Sequence, residues 1–167
     1  MRGYADDPAK VERPDEMSKA WKLAHADRLK DRPRDTYLAK ECPVLMSIAA
    51  MVPGTKDRVR LMRLKAGDGE LARHADVTLK SAGVADGKIA RLHVPLTTNP
   101  EVVFTQWDHR GRIFEKHFPV GCLFCLDQRK PHRAVNGGAS ERTHLVIAVE
   151  SGPELRSWIA GEGCDRA

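Results

Sequence analysis

From residue 59 onward the sequence is a succession of short strand-like runs, each closed by a turn signal. Residues 59–64 alternate apolar and basic side chains, and further runs follow at about 70–79, 89–97, 101–107, 112–118, 121–127 and 141–149. Between them stand Ala66-Gly67-Asp68-Gly69, Asp86-Gly87, Asn99-Pro100, Asp108 to Gly111, Pro119-Val120-Gly121 and Asn136-Gly137-Gly138. Glycine and proline at such intervals reverse the chain and stop helices from propagating. About seven short strands spaced in this way predict a sandwich or barrel.

The first third is written differently. Residues 1–40 are rich in charge and carry Pro8, Pro14 and Pro33. Residues 1–14 read as a loose arm. Asp15 is placed to cap a helix running to about Lys30, with Trp21, Leu23, Ala24 and Leu29 as a ragged apolar face. A second helix is expected to start near Pro43, a good first-turn residue, to bury Val44, Leu45, Ile48 and Val52, and to end at Pro53-Gly54. The predicted fold is mainly β: a double-stranded β-helix, jelly-roll and cupin-like, buttressed by N-terminal helices. Residues 1–54 would form the arm and helical segment, 55–152 the β-helix core, and 153–167 a short C-terminal helix or tail. At 167 residues these parts make one structural domain.

Composition narrows the classes of function. Hydrophobic residues are 41% and charged residues 31%, which is globular. The longest nearly apolar runs, 45–52 and 145–149, fall short of the about 20 residues a bilayer demands. Asp6, Asp7, Glu12, Asp15 and Glu16 sit where the apolar segment of a signal peptide would be, so a cytoplasmic location and no membrane partner are expected. The net charge is +5, but the 28 basic residues are interleaved with 23 acidic ones and only nine aromatics are present. No nucleic-acid partner is expected from that pattern. Cys122 and Cys125 have CxxC spacing, yet no second pair exists to complete a zinc site, and both read as buried thiols of a strand-like run.

The chemistry lies in the histidines. His74 and Asp76 are two residues apart, so on a strand they would share a face. His132 lies 58 residues downstream, and a sandwich can bring it back to them. Two imidazoles and a carboxylate form the facial triad of non-haem Fe(II) oxygenases, in which three protein ligands take one face of an octahedron and leave the other open. Ten residues after His132, Arg142 opens the last strand. A guanidinium there can hold a carboxylate by two parallel charge-assisted hydrogen bonds.

Taken in order, Arg73-His74-Ala75-Asp76, the stretch from Arg91-Leu92-His93-Val94-Pro95 to Asn99-Pro100, Pro131-His132-Arg133-Ala134-Val135-Asn136 and Arg142-Thr143-His144-Leu145-Val146 resemble the aspartyl/asparaginyl β-hydroxylase family of Fe(II)/2-oxoglutarate dioxygenases, whose relatives include bacterial proline hydroxylases. The resemblance covers about residues 57–150; residues 1–50 resemble nothing nameable, and an additional N-terminal strand segment usual in the family is not found. It implies that His74, Asp76 and His132 are iron ligands and catalytic residues, that Arg142 holds the distal carboxylate of 2-oxoglutarate, and that Arg91 and His93 help bind this co-substrate. One branch of the family carries glycine in place of the carboxylate ligand; Asp76 puts this chain with the complete triad. The implied cofactors are Fe(II), 2-oxoglutarate and O2. The implied reaction hydroxylates an unactivated C–H bond of an amino acid, free or in a peptide or protein, while 2-oxoglutarate is decarboxylated to succinate.

Other residues carry less. His144 alternates with Arg142 and reads as a packing residue, His109 as a turn residue, and His25 and His117 as surface residues. Asn99 and Asn136 suit turns. Gln106 and Trp107 end a strand near the expected mouth, and the loops 80–88 and 105–112, with Lys80, Lys88 and Arg110, are candidates for substrate selection. The same residues also suit a rival reading, a non-catalytic cupin-like module that holds a metal or a small carboxylate.

Overall fold

A computed structural model of the chain describes residues 2–3, 34–76 and 87–161. The expected helix over 15–30 and most of the 80–88 loop lie outside these. The first elements are the two-residue strands β1 (Arg2–Gly3) and β2 (Arg34–Asp35), paired antiparallel. Helices α1 (Tyr37–Glu41) and α2 (Pro43–Met51) follow. Then come β3 (Lys56–Leu64), β4 (Gly69–His74), β5 (Ile89–Thr97), β6 (Val102–Trp107), β7 (Ile113–Lys116), β8 (Phe124–Leu126), β9 (His132–Asn136) and β10 (Arg142–Glu150), and helix α3 (Pro153–Gly161).

Eight of these strands form two four-stranded sheets, ordered β3-β10-β5-β8 and β4-β9-β6-β7, with every pairing antiparallel. The chain passes back and forth between these two sheets, and among their eight strands only β6 and β7 are consecutive in sequence and neighbours in one sheet. This winding is a jelly roll, mainly β, as predicted.

The period-2 alternation of strands sorts β10 into two faces. Leu145, Ile147 and Val149 join Val59, Leu92 and Val94 on the outer face, where Ala49 and Val52 at α2 and Leu155 of α3 cover them. Each such aliphatic side chain contributes about 1.5–3 kcal/mol by leaving water. The alternate residues Arg142, His144, Val146 and Ala148 face the second sheet. Between the sheets Leu64, Phe104 and Ala134 form a smaller core with Leu71, Phe118 and Leu126 at its margin.

Several expectations are corrected. Proline does open α2, but Val44 is 70% exposed; Ala49 takes its place in the core, beside the expected Val52. The short helix α1 was not expected. Cys122 is half-buried ahead of the strand, and Cys125, the middle residue of Phe124–Leu126, is exposed because alternation turns it outward while its two neighbours turn in. His117 is partly buried, with Nδ1 3.1 Å from the Val102 carbonyl oxygen.

Asn136 has more than a turn role. It is wholly buried, and its Nδ2 donates to the carbonyls of Lys65 at 2.7 Å and Ser140 at 2.9 Å. Its Oδ1 accepts from Asn99 Nδ2 at 3.0 Å and from the Gly138 N–H at 3.2 Å. One amide thus ties the β3–β4 turn, the β5–β6 turn and the β9–β10 turn together. A Cβ at Gly138 would lie 2.1 Å from Asn99 Oδ1, so any other residue there would push the Asn99 amide away from these partners.

Candidate metal centre

His74 and His132 face each other across the β4–β9 pair. The register between these strands slips by one residue between Leu71 and His74. In the unbroken register Arg73, not His74, would lie opposite His132. A bulge of this kind re-aims a side chain, and here it brings the two imidazole centroids to 4.3 Å. Asp76 is not on the strand as the sequence predicts. β4 ends at His74, and Asp76 follows in a turn whose N–H donates to the Gln128 carbonyl at 2.9 Å. Even so, one potential ligand atom from each of His74, Asp76 and His132 lies within 4.8 Å of the others.

The protonation pattern suits a metal ion. His74 Nδ1 is 2.7 Å from the Ala72 carbonyl oxygen and His132 Nδ1 is 3.0 Å from that of Lys130. A carbonyl only accepts, so both Nδ1 atoms carry the proton and both Nε2 lone pairs are free to coordinate. Burial is the largest influence on His132 and pushes its pKa down, which keeps the imidazole in the neutral, ligating form. Asp76 Oδ1 lies 3.5 Å from His74 Nε2, while Oδ2 accepts a hydrogen bond from Arg91 Nη1. Two imidazole nitrogens and one carboxylate oxygen are a donor set for a divalent first-row ion with positions left open.

The segment between β8 and β9 organises this end of the barrel. The Asp127 carbonyl accepts from Gln106 Nε2 at 2.9 Å, that of Gln128 holds the Asp76 N–H, that of Lys130 faces His132, and that of Pro131 accepts from the Trp107 N–H at 2.9 Å. Gln128 is buried and donates from Nε2 to the Arg91 carbonyl at 3.1 Å. Nothing in the sequence singles out Gln128, since its place depends on the closed sandwich. At the rim the Arg73 guanidinium sits 4.4 Å from the centroid of the Trp107 ring.

The remaining expected residues lie further along the interior. Arg91 adjoins the triad through Asp76. His93 stacks on Phe124 at 5.2 Å, and Phe118 lies 3.6 Å beyond Phe124, nearly parallel to it. Phe104 links this aromatic group to His132 at 6.1 Å and to Phe118 at 6.0 Å. Arg142 opposes Leu64 at the other end of the strands, buried to 6% exposure, and burial alone lowers its pKa to about 10. It stays charged at neutral pH. A guanidinium buried there without a carboxylate among the described residues suits an anion.

With this geometry the family pattern can be placed. Residues 6–151 match the aspartyl/asparaginyl beta-hydroxylase family, and the chain belongs to it. The match begins far upstream of residue 57, so most of the N-terminal region that resembled nothing is part of the family pattern. No curated protein matches the sequence. Among solved structures, the chain is similar to peruvianin-I, a cysteine peptidase from Thevetia peruviana latex (17% identity, 57% of this chain and 51% of that chain, TM-score 0.41). It is also similar to a cupin domain from Bordetella pertussis Tohama I (16% identity, 60% and 88%, TM-score 0.41) and to ThoJ, a non-heme monooxygenase in complex with nickel (16% identity, 63% and 48%, TM-score 0.45). The chain spans about half the length of the first of these. Likenesses this distant carry nothing about chemistry. No helix among the described residues is long and apolar enough to cross a membrane.

Proposed function

We propose that the chain is an Fe(II)/2-oxoglutarate-dependent dioxygenase that hydroxylates an unactivated C–H bond of an amino acid or an amino-acid side chain of Asp, Asn or Pro type, in a small molecule, peptide or protein. The observation that carries this reading is the convergence of His74, Asp76 and His132, with both histidines presenting Nε2, in a chain of this family. Bound iron with 2-oxoglutarate and O2 would supply the oxidising power, with succinate and CO2 as co-products. The protein's part is binding and exclusion. His74, Asp76 and His132 would hold the ion from one side. The Ala72 and Lys130 carbonyls fix the imidazole tautomers, and Arg91 fixes the carboxylate. Arg142 would receive the far carboxylate of the co-substrate, and Phe104, Phe118 and Phe124 would keep water from the space between.

The test is turnover of 2-oxoglutarate to succinate by the Fe(II)-loaded protein across a panel of free and peptidyl amino acids. His132→Ala should abolish it. A charge-transfer band on anaerobic addition of 2-oxoglutarate, with no oxygen consumed for any substrate, would instead make the chain a binding module.

A further inference from the structure

Among the described residues, five buried side-chain polar atoms have no hydrogen-bond partner: His93 Nδ1, Thr98 Oγ1, Arg142 Nε, and both ring nitrogens of His144. All belong to β5, to the residue just past it, or to β10, which are hydrogen-bonded neighbours in the first sheet. Folded proteins keep few buried polar groups unpaired, so such a concentration calls for a polar ligand.

Arg142 and His144, two residues apart on β10, share its inward face, roughly 7 Å apart along the strand. His144 is 2% exposed, and its ring centroid lies 6.0 Å from that of His93, edge to face. Phe124 closes over both histidines, 5.2 Å from His93 and 5.8 Å from His144. Packing alone would be served better by an apolar side chain than by an imidazole with two unmet hydrogen-bonding atoms. Burial, with the nearby Arg142 charge, drives the His144 pKa down to about 3, and burial with His144 and nearby arginines also lowers that of His93. The place therefore offers one permanent positive charge flanked by neutral donors. A single carboxylate matches that balance, whereas a phosphate dianion needs a second cation.

We infer that His144 and Thr98 complete, with Arg142, a carboxylate seat at the end of the barrel remote from the triad, and that His144 is a binding residue for the far carboxylate of the co-substrate. This rests on the proposed function, which supplies the co-substrate. The seat itself is made of residues outside the metal triad.

The experiment titrates the Mn(II)-loaded full chain with glutarate, a dicarboxylate without a keto group, by calorimetry, with inorganic phosphate as comparison. Wild-type protein should bind glutarate more tightly than phosphate. His144→Phe should weaken glutarate roughly 10-fold or more, as expected for a lost hydrogen bond to a charged group. It should leave Mn(II) affinity unchanged and raise Tm, because an unpaired imidazole leaves the interior. His144→Asn, which keeps a donor, should recover part of the affinity, and Thr98→Val should weaken it less than His144→Phe does. Glutarate affinity unchanged in both His144 variants, or phosphate binding as tight as glutarate, overturns the seat. Glutarate binding that depends on His144, in a protein that never turns over 2-oxoglutarate, supports the seat while the oxygenase reading fails. Turnover whose KM for 2-oxoglutarate ignores His144→Phe overturns the seat and leaves the oxygenase reading standing.

Discussion

Arg91 donates a hydrogen bond from Nη1 to Asp76 Oδ2 while Oδ1 of the same carboxylate turns toward His74. Both partners of this pair are largely shielded from water. The guanidinium therefore decides which oxygen is offered to an ion and restrains a carboxylate that lies beyond the end of its strand. Partners of metal ligands typically matter by about 10–100-fold in metal affinity when removed. Arg91→Gln should weaken Mn(II) binding within that range, read by calorimetry, and Arg91→Lys should restore only part, since an ammonium lacks the planar fork. Unchanged Mn(II) affinity in Arg91→Gln would falsify this role.

Arg142 should act on the co-substrate and not on the metal. Removing one member of a buried charge pair costs about 2–5 kcal/mol. Arg142→Ala should accordingly raise the apparent KM for 2-oxoglutarate by at least roughly 30-fold at 1.4 kcal/mol per decade, with Mn(II) affinity near that of the wild type. Equal losses of both affinities would show that the substitution had disturbed the barrel as a whole.

Much of this arrangement is legible in the sequence, for reasons that differ by element. β3, β5 and β10 are long, and Gly- or Pro-bearing turns mark most of their ends, so apolar runs locate them. β9 was not expected as a strand, because two of the inward residues of His-Arg-Ala-Val-Asn, His132 and Asn136, are polar and leave no apolar alternation to read. The three proposed ligands are readable as residue types at their spacing, but their approach depends on the slipped register in β4. Nothing in Leu71-Ala72-Arg73-His74 announces that slip, since no glycine or proline is present. His144 reads as packing because its strand is apolar around it; only the second sheet shows that the even-numbered face of β10 borders a polar interior.

Asn136 should be a determinant of stability. Its amide makes hydrogen bonds to backbone and side-chain groups of three turns, at zero exposure. Truncation leaves the Lys65 and Ser140 carbonyls with fewer partners, and each buried group left unsatisfied costs about 1–3 kcal/mol. Asn136→Ala should therefore lower the urea midpoint by an amount equivalent to at least about 2 kcal/mol, with the m-value unchanged. Asn136→Asp should not rescue it, because a carboxylate cannot donate to those carbonyls. A loss below about 0.5 kcal/mol, the size of an ordinary surface substitution, would mean that the turns hold without this amide.

The buried histidines set the acid limb of stability. His144 is held neutral in the folded chain down to about pH 3 and His93 is shifted in the same direction, whereas both titrate near 6.5 once unfolded. Below 6.5 the unfolded chain thus binds more protons than the folded one, so stability rises with pH across this window and falls as acid is added. His144 contributes a slope of somewhat more than about 1 kcal/mol per pH unit below its unfolded pKa, and His93 acts in the same direction. The Tm of the wild type should fall steadily from pH 6.5 to 4.5, above the range in which ordinary carboxylates titrate. His144→Phe removes one titrating group and should give a visibly shallower fall. Parallel curves for the two proteins would show that His144 is not kept neutral by folding.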